Sequence, residues 1–126
     1  MQIRQGIDIV SVERLGEAVK RHGERFLNRI FTKEERAYCD SKRYKFEHYA
    51  ARFAAKEAMM KAMEIRRKNR FRFREIEVRR RPTGKPEITI SPESRSRFDL
   101  PSNVQIELSM AHERQYAVSF VVLLFP

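Results

Sequence analysis

Apolar residues recur along the chain with two periods, and the change of period marks out its elements. Near the start Ile3, Ile7 and Ile9 stand at even spacing, which fits a strand, with Gly6 weakening it locally and Asp8 on the opposite face. Residues 12 to 22 take a helical pattern, with Arg14 and Arg21 sharing a face and Arg25 close behind. In "FTKEERAYC" Thr32 and Glu35 have the spacing of a capping box, so a helix begins there. The longest helix is expected from about Tyr44 to Ile65, with Tyr49, Phe53, Met59, Met60 and Met63 as its apolar contacts. Beyond it the period falls to two. Ile76 and Val78 alternate with Glu75 and Glu77, "RPTGKP" is rich in turn formers, and Ile88 and Ile90 alternate again, which predicts a β-hairpin over residues 73 to 91. "SPESRSRF" predicts a short helix capped by Ser91 with Pro92 at its first position. Val104, Ile106, Leu108 and Met110 alternate in one strand, and the almost wholly apolar residues 116 to 125 predict another. "AHERQ", carrying His112, connects them. The chain therefore reads as α+β, with helices packed against a mostly antiparallel sheet. Without repeats, low-complexity stretches or a Gly/Pro/Ser-rich linker, residues 1–126 read as a single domain.

Composition narrows the classes. The 41% hydrophobic content of 126 residues can supply a real core. Lys and Arg number 27 against 17 Asp and Glu, and the net charge of +10 favours an anionic partner. Cys39 is the only cysteine, which excludes an internal disulfide and fits a buried or inert thiol. The N-terminus lacks the long apolar run of a signal peptide, and no segment approaches the ~20 apolar residues of a membrane span. The closing "YAVSFVVLLFP" reads as a buried strand, and a cytoplasmic protein is expected.

Three charges interrupt the alanines and methionines of "FAAKEAMMKA": Lys56, Glu57 and Lys61. Glu57 four residues before Lys61 is a favourable helical ion pair, worth ~0.2–0.5 kcal/mol. The charges are either a solvated stripe or the wall of a site that small alanines leave open. Asp8, inside an apolar strand pattern, needs solvent or a partner, because a bare buried charge is costly. Two carboxylates meeting across a strand and a helix would suit Mg²⁺, which prefers oxygen ligands and keeps waters and phosphates in its shell. Spacing alone leaves open whether Asp8 and Glu57 converge. His112 by itself reads as a turn or surface residue.

"GIDIVSVER", "RIFTKEERAYC", "YAARFAAKEAMMKA", "EIEVRRRPTGKP" and "LSMAHERQYAVSFVV" resemble, in this order, segments of the holo-acyl-carrier-protein synthases. These are small phosphopantetheinyl transferases of bacterial fatty-acid synthesis. The likeness runs from about Ile3 to Val122, and G-I-D and F-x-A-K-E-A-x-x-K-A are its specific blocks. The resemblance implies a 4′-phosphopantetheinyl transferase-like fold and a homotrimer with sites at subunit interfaces. It implies that Asp8 and Glu57 bind Mg²⁺ and that Lys61 lies at the pyrophosphate of coenzyme A. Arg52, with Lys42 and Arg43, would take the adenosine 3′-phosphate, and His112 would help line the nucleotide site. Arg14, with Lys20, Arg21 and Arg25, would form a basic docking face for an acidic acyl carrier protein. The implied reaction transfers 4′-phosphopantetheine from coenzyme A to a carrier serine and releases adenosine 3′,5′-bisphosphate. Glu57 and Lys61 would carry catalysis, with a metal-bound water held by Glu57 preferred over Lys56 as the base.

The chain departs from the family in two places. "KAMEIRRKNRFRF" has no glycine where members carry a Gly-rich turn, so Arg66, Arg67 and Lys68 are expected to supply phosphate contacts by charge. Ala111 stands where a Ser or Thr hydroxyl is common. Two other readings compete: a nucleic-acid-binding module using Phe71 and Phe73 among the arginines of "RRKNRFRFREIEVRRRP", and a non-catalytic relative that binds carrier protein alone.

Overall fold

The computed structural model describes residues 1–65 and 72–126; Arg66, Arg67, Lys68 and Phe71 lie outside the described residues. The first apolar alternation forms strand β1 (Gln2–Ser11). Ser11 then caps helix α1 (Val12–His22), its Oγ accepting from the Arg14 backbone N–H at 3.2 Å. Helix α2 (Glu24–Ile30) follows, and Thr32 and Glu35 make the expected capping box at the start of α3 (Lys33–Asp40). Helix α4 spans Lys45–Ala62, a little shorter than the expected reach. It stops because Glu64 takes a left-handed φ of 60° and the Ile65 N–H turns back to Met60 O at 3.1 Å. That is a role glycine performs with less strain, at the place where the resemblance leads one to expect a glycine.

The expected hairpin forms as β2 (Glu77–Arg80) and β3 (Pro86–Thr89), preceded by a 3₁₀ turn at Phe73–Glu75. Helix α5 (Pro92–Arg97) begins at Ser91 as expected. Strands β4 (Gln105–His112) and β5 (Tyr116–Phe125) close the chain. His112 ends β4 and is not part of the connection, so alternation puts it on the same face as Leu108 and Met110. Among the described residues the strands form two antiparallel sheets, in the orders β1-β5-β4 and β2-β3.

Helix α4 lies across one face of the larger sheet, and its alanines explain how closely. Ala50, Ala51, Ala54, Ala55, Ala58 and Ala62 are all buried. On one side Ala55, Ala58, Met59 and Ala62 join Ile76, Val78, Leu108, Val121 and Leu123. On the other, Tyr49, Ala50 and Ala51 join Leu15, Leu27, Ile30, Phe31 and Cys39. Each large apolar side chain so buried contributes about 1.5–3 kcal/mol. Burial pushes the Cys39 thiol up to about 12, the inert state its sequence context suggested.

The isoleucines that mark β1 turn away from α4. Ile3, Ile7 and Ile9 are 60%, 57% and 64% exposed, beside exposed Tyr116 and Phe120 of β5. β5 is thus buried on one face only. The packed face of β1 belongs to Gly6 and Asp8, because glycine alone lets strand and helix backbones meet.

Candidate active site

A β-carbon on Gly6 would stand 2.0 Å from Ala58 O and 2.8 Å from Ala62 N, so β1 rests directly on the backbone of α4. Two residues along the same face, Asp8 meets a residue of that same turn of the helix. Lys61 Nζ donates to Asp8 Oδ1 at 3.1 Å and to Ile7 O at 3.0 Å, crossing from helix to strand. The Lys61 side chain is 56% exposed and that of Asp8 20%, so the pair opens to solvent. Half-buried Glu57 sits one turn before Lys61 on α4. Asp8 pairs with Ser119 across the sheet, and Ser119 Oγ donates to Ala51 O at 2.8 Å, which ties β5 to the same helix. The junction joins the Asp8 carboxylate and the Lys61 ammonium at a solvent-facing edge, one helical turn along α4 from Glu57. Among the described residues no group of three or more His, Cys, Asp and Glu side chains is placed to hold a metal ion.

Lys56 has a different fate. Its Nζ donates to Glu35 Oε1 at 2.9 Å, Phe73 O at 3.0 Å and Ile76 O at 2.5 Å, with no solvent exposure on either side of the ion pair. Glu35 also accepts from the N–H of Thr32 and, at 2.8 Å, from that of Val78. Burial pulls the Lys56 pKa below the ordinary lysine value, and the Glu35 carboxylate pulls against it. The lysine fastens α4 to α3 and to the entry of the hairpin, out of reach of any substrate.

A second group of charges gathers at the N-terminal half of α4. The Tyr38 ring carries Arg52 at 4.1 Å, Lys42 at 4.7 Å and Arg80 at 5.0 Å from its centroid. His48 meets Tyr38 edge-on at 5.8 Å and His112 at 4.7 Å, while His112 Nδ1 lies 2.9 Å from Glu47 Oε1. Burial, with His112, Arg52, Lys42 and Arg80 adding positive charge, holds the His48 pKa down at about 4. Arg52 is 2% exposed, and its buried Nε has no hydrogen-bond partner. Lys42, Arg52 and His112 of the sequence reading are therefore neighbours. Arg43 is not among them: its guanidinium lies over Tyr44 at 5.2 Å and lines an adjoining cavity of about 510 Å³ with Val12, Phe46, Glu47 and Arg114. Tyr38, His48 and Arg80 were missed from the sequence. The four-residue spacing of His48 and Arg52 on one helix face was the only signal available.

Arg14, Lys20, Arg21 and Arg25 are exposed, as a docking face requires. Arg21 and Arg25 line a cavity of about 580 Å³ with His22, Phe26 and Arg29, the last of which the sequence did not single out. Phe73, offered above as a base-stacking residue, instead packs on Phe53 with ring centroids 5.6 Å apart. No helix among the described residues is long and apolar enough to cross a membrane.

Comparison with known proteins shows one family. The sequence profile of the 4′-phosphopantetheinyl transferase superfamily matches residues 4–121. The holo-acyl-carrier-protein synthase of Koribacter versatilis is 40% identical, over 98% of this chain and 98% of its own length. That of Halothermothrix orenii is 43% identical over 93% of each. The crystal structure of Helicobacter pylori holo-acyl-carrier-protein synthase in complex with coenzyme A superposes with a TM-score of 0.82 at 33% identity, covering 94% of this chain and 98% of that one. The Chronobacterium ammoniagenes synthase–coenzyme A complex gives 0.88 at 27% identity, over 100% and 99%.

Proposed function

We propose that this chain, which belongs to the 4′-phosphopantetheinyl transferase superfamily, transfers 4′-phosphopantetheine from coenzyme A to a serine of an acyl carrier protein. Residues 1–126 act as one domain in this role. The observation that carries the proposal is the junction of Asp8 with Lys61, one helical turn from Glu57, on a fold shared with synthases in complex with coenzyme A.

Asp8 and Glu57 offer hard oxygen donors from two elements held at closest approach by Gly6, a donor set that fits Mg²⁺ with waters and phosphate oxygens completing its shell. When bound there, the ion would offset charge on the phosphoryl oxygens. Lys61, already turned toward Asp8, is placed to stabilise the leaving phosphate of the pyrophosphate. A water held by Glu57 accepts the serine proton as the serine oxygen attacks the β-phosphorus. Lys56 takes no part, because Glu35 seals it. Lys42, Arg52 and His112 hold the nucleotide end of the coenzyme, and Arg43 sits beside the adjoining cavity.

The basic face of Arg14, Arg21 and Arg25 steers an acidic carrier protein. The exposed apolar side chains Ile3, Ile7, Ile9, Tyr116 and Phe120 stand on the paired strands β1 and β5, and we assign them to contact between copies of the chain in a homotrimer. The enzyme works in the cytoplasm, in fatty-acid biosynthesis.

Mass spectrometry of apo-carrier protein incubated with this protein, coenzyme A and Mg²⁺ tests the reading. A phosphopantetheine mass gain on the carrier serine is expected; no gain with an active-site-intact protein overturns it. A nucleic-acid partner is disfavoured by the packing of Phe73 on Phe53.

A further inference from the structure

Three cations share one phenol ring, and no ion pair among the described residues neutralises any of them. They come from three separate places: Lys42 from the turn between α3 and α4, Arg52 from α4, and Arg80 from the end of β2. The ring faces attract each cation, but the cations repel one another, and Arg52 is buried with its Nε unpartnered. His48 Nδ1, in the same cluster, is also buried without a partner. Arg80 is held in place by donating from one guanidinium nitrogen to Gly84 O at 2.6 Å. Lys42 and Arg80 are exposed and Tyr38 and His48 half-buried, so the cluster is open on one side. Such an arrangement lacks one component, a compact anion of more than one charge.

We propose that Tyr38 and Arg80 complete, with Lys42 and Arg52, a site selective for a phosphate monoester dianion, which on coenzyme A is the 3′-phosphate. This rests on the coenzyme reading above and adds two residues to it. Tyr38 is a platform: its ring gathers three cations at 4.1 to 5.0 Å from its centroid, none of them bound by a carboxylate ion pair among the described residues. Arg80, from the end of β2, supplies planar donors suited to phosphate oxygens. His48 stays neutral amid these charges, with His112, Arg52, Lys42, Arg80 and Tyr38 around it, and a bound dianion would draw its titration back toward that of an ordinary imidazole.

Calorimetry with coenzyme A and with dephospho-coenzyme A, which lacks the 3′-phosphate, separates the possibilities. Arg80→Gln should weaken coenzyme A binding about tenfold, the scale of one lost charged hydrogen bond, and leave dephospho-coenzyme A unchanged. Tyr38→Leu should do the same, and Tyr38→Phe, which keeps the ring face, should restore the preference. Equal weakening of both ligands, or of neither, overturns the proposal. Should Tyr38→Leu fail to fold, the exposed Arg80 still decides. If the unaltered protein binds neither coenzyme, the functional reading falls and inorganic phosphate becomes the probe. A saturable phosphate-induced shift of the His48 ring signals, weakened in Arg80→Gln, then supports the site. No shift overturns it.

Discussion

Lys56 Nζ stands 2.9 Å from Glu35 Oε1 with neither side chain exposed, while Lys61, five residues along the same helix, is 56% exposed and reaches Asp8. Five residues turn an α-helix by a little more than a third of a revolution beyond one turn, so the two lysines face different surroundings. One serves the fold and the other the proposed site.

Lys56→Met fills the space but leaves Glu35 charged and buried, and losing one partner of such a pair costs about 3–5 kcal/mol. Lys61→Met breaks a solvent-exposed pair and should cost no more than about 1 kcal/mol while removing activity. Urea unfolding of both variants checks the contrast; similar losses would contradict the division of roles.

Gly6→Ala should be far costlier than an ordinary strand substitution, because the new methyl meets Ala58 O at 2.0 Å. Overpacking of this kind costs about 1–3 kcal/mol or more. Lifting β1 from α4 also moves Asp8 away from Lys61, so transfer activity should fall more than stability accounts for. Activity measured well below the variant's melting temperature isolates that second loss.

Asp8→Asn and Glu57→Gln should each abolish transfer with the thermal transition nearly intact, since neither side chain is core and the Asp8–Lys61 pair is open to solvent. Near-normal rates at limiting Mg²⁺ in either variant would remove these residues from the metal site.

Arg14→Glu inverts charge on the exposed face of α1 and should raise KM for carrier protein well above any change in KM for coenzyme A. The effect should shrink as salt rises, because screening shortens the reach of exposed charge. Parallel changes in both constants would place the docking face elsewhere.

The folded-state pKa of His48, about 4, lies below its ordinary value of 6.5. Between those values the unfolded chain takes up a proton that the folded chain refuses, so this contribution is intact above pH 6.5 and stability falls as pH drops toward 4. His48→Gln should flatten that acid slope in urea midpoints measured from pH 7 to 4.5, and an unchanged slope would point to other groups.

What the sequence determined by itself was local. The capping box of Thr32 and Glu35, the Ser91 cap with Pro92 behind it, and the switch from a helical to a two-residue period all depend on residues within about four positions of each other. So does the A-K-E-A-x-x-K block that carries Glu57 and Lys61 and, with G-I-D, the likeness to the synthases. Only the tertiary structure decided which face of β1 would pack, because the isoleucines argued for one side and the single Gly6 for the other. It also brought Lys56 to Glu35 across 21 residues and Lys61 to Asp8 across 53. It parted Arg43 from Lys42, adjacent in the chain, and gathered Lys42, Arg52 and Arg80 on Tyr38. Periodicity records which side of an element is apolar. Which charges meet depends on how closely two backbones approach, and here that distance is set by one glycine and a row of alanines.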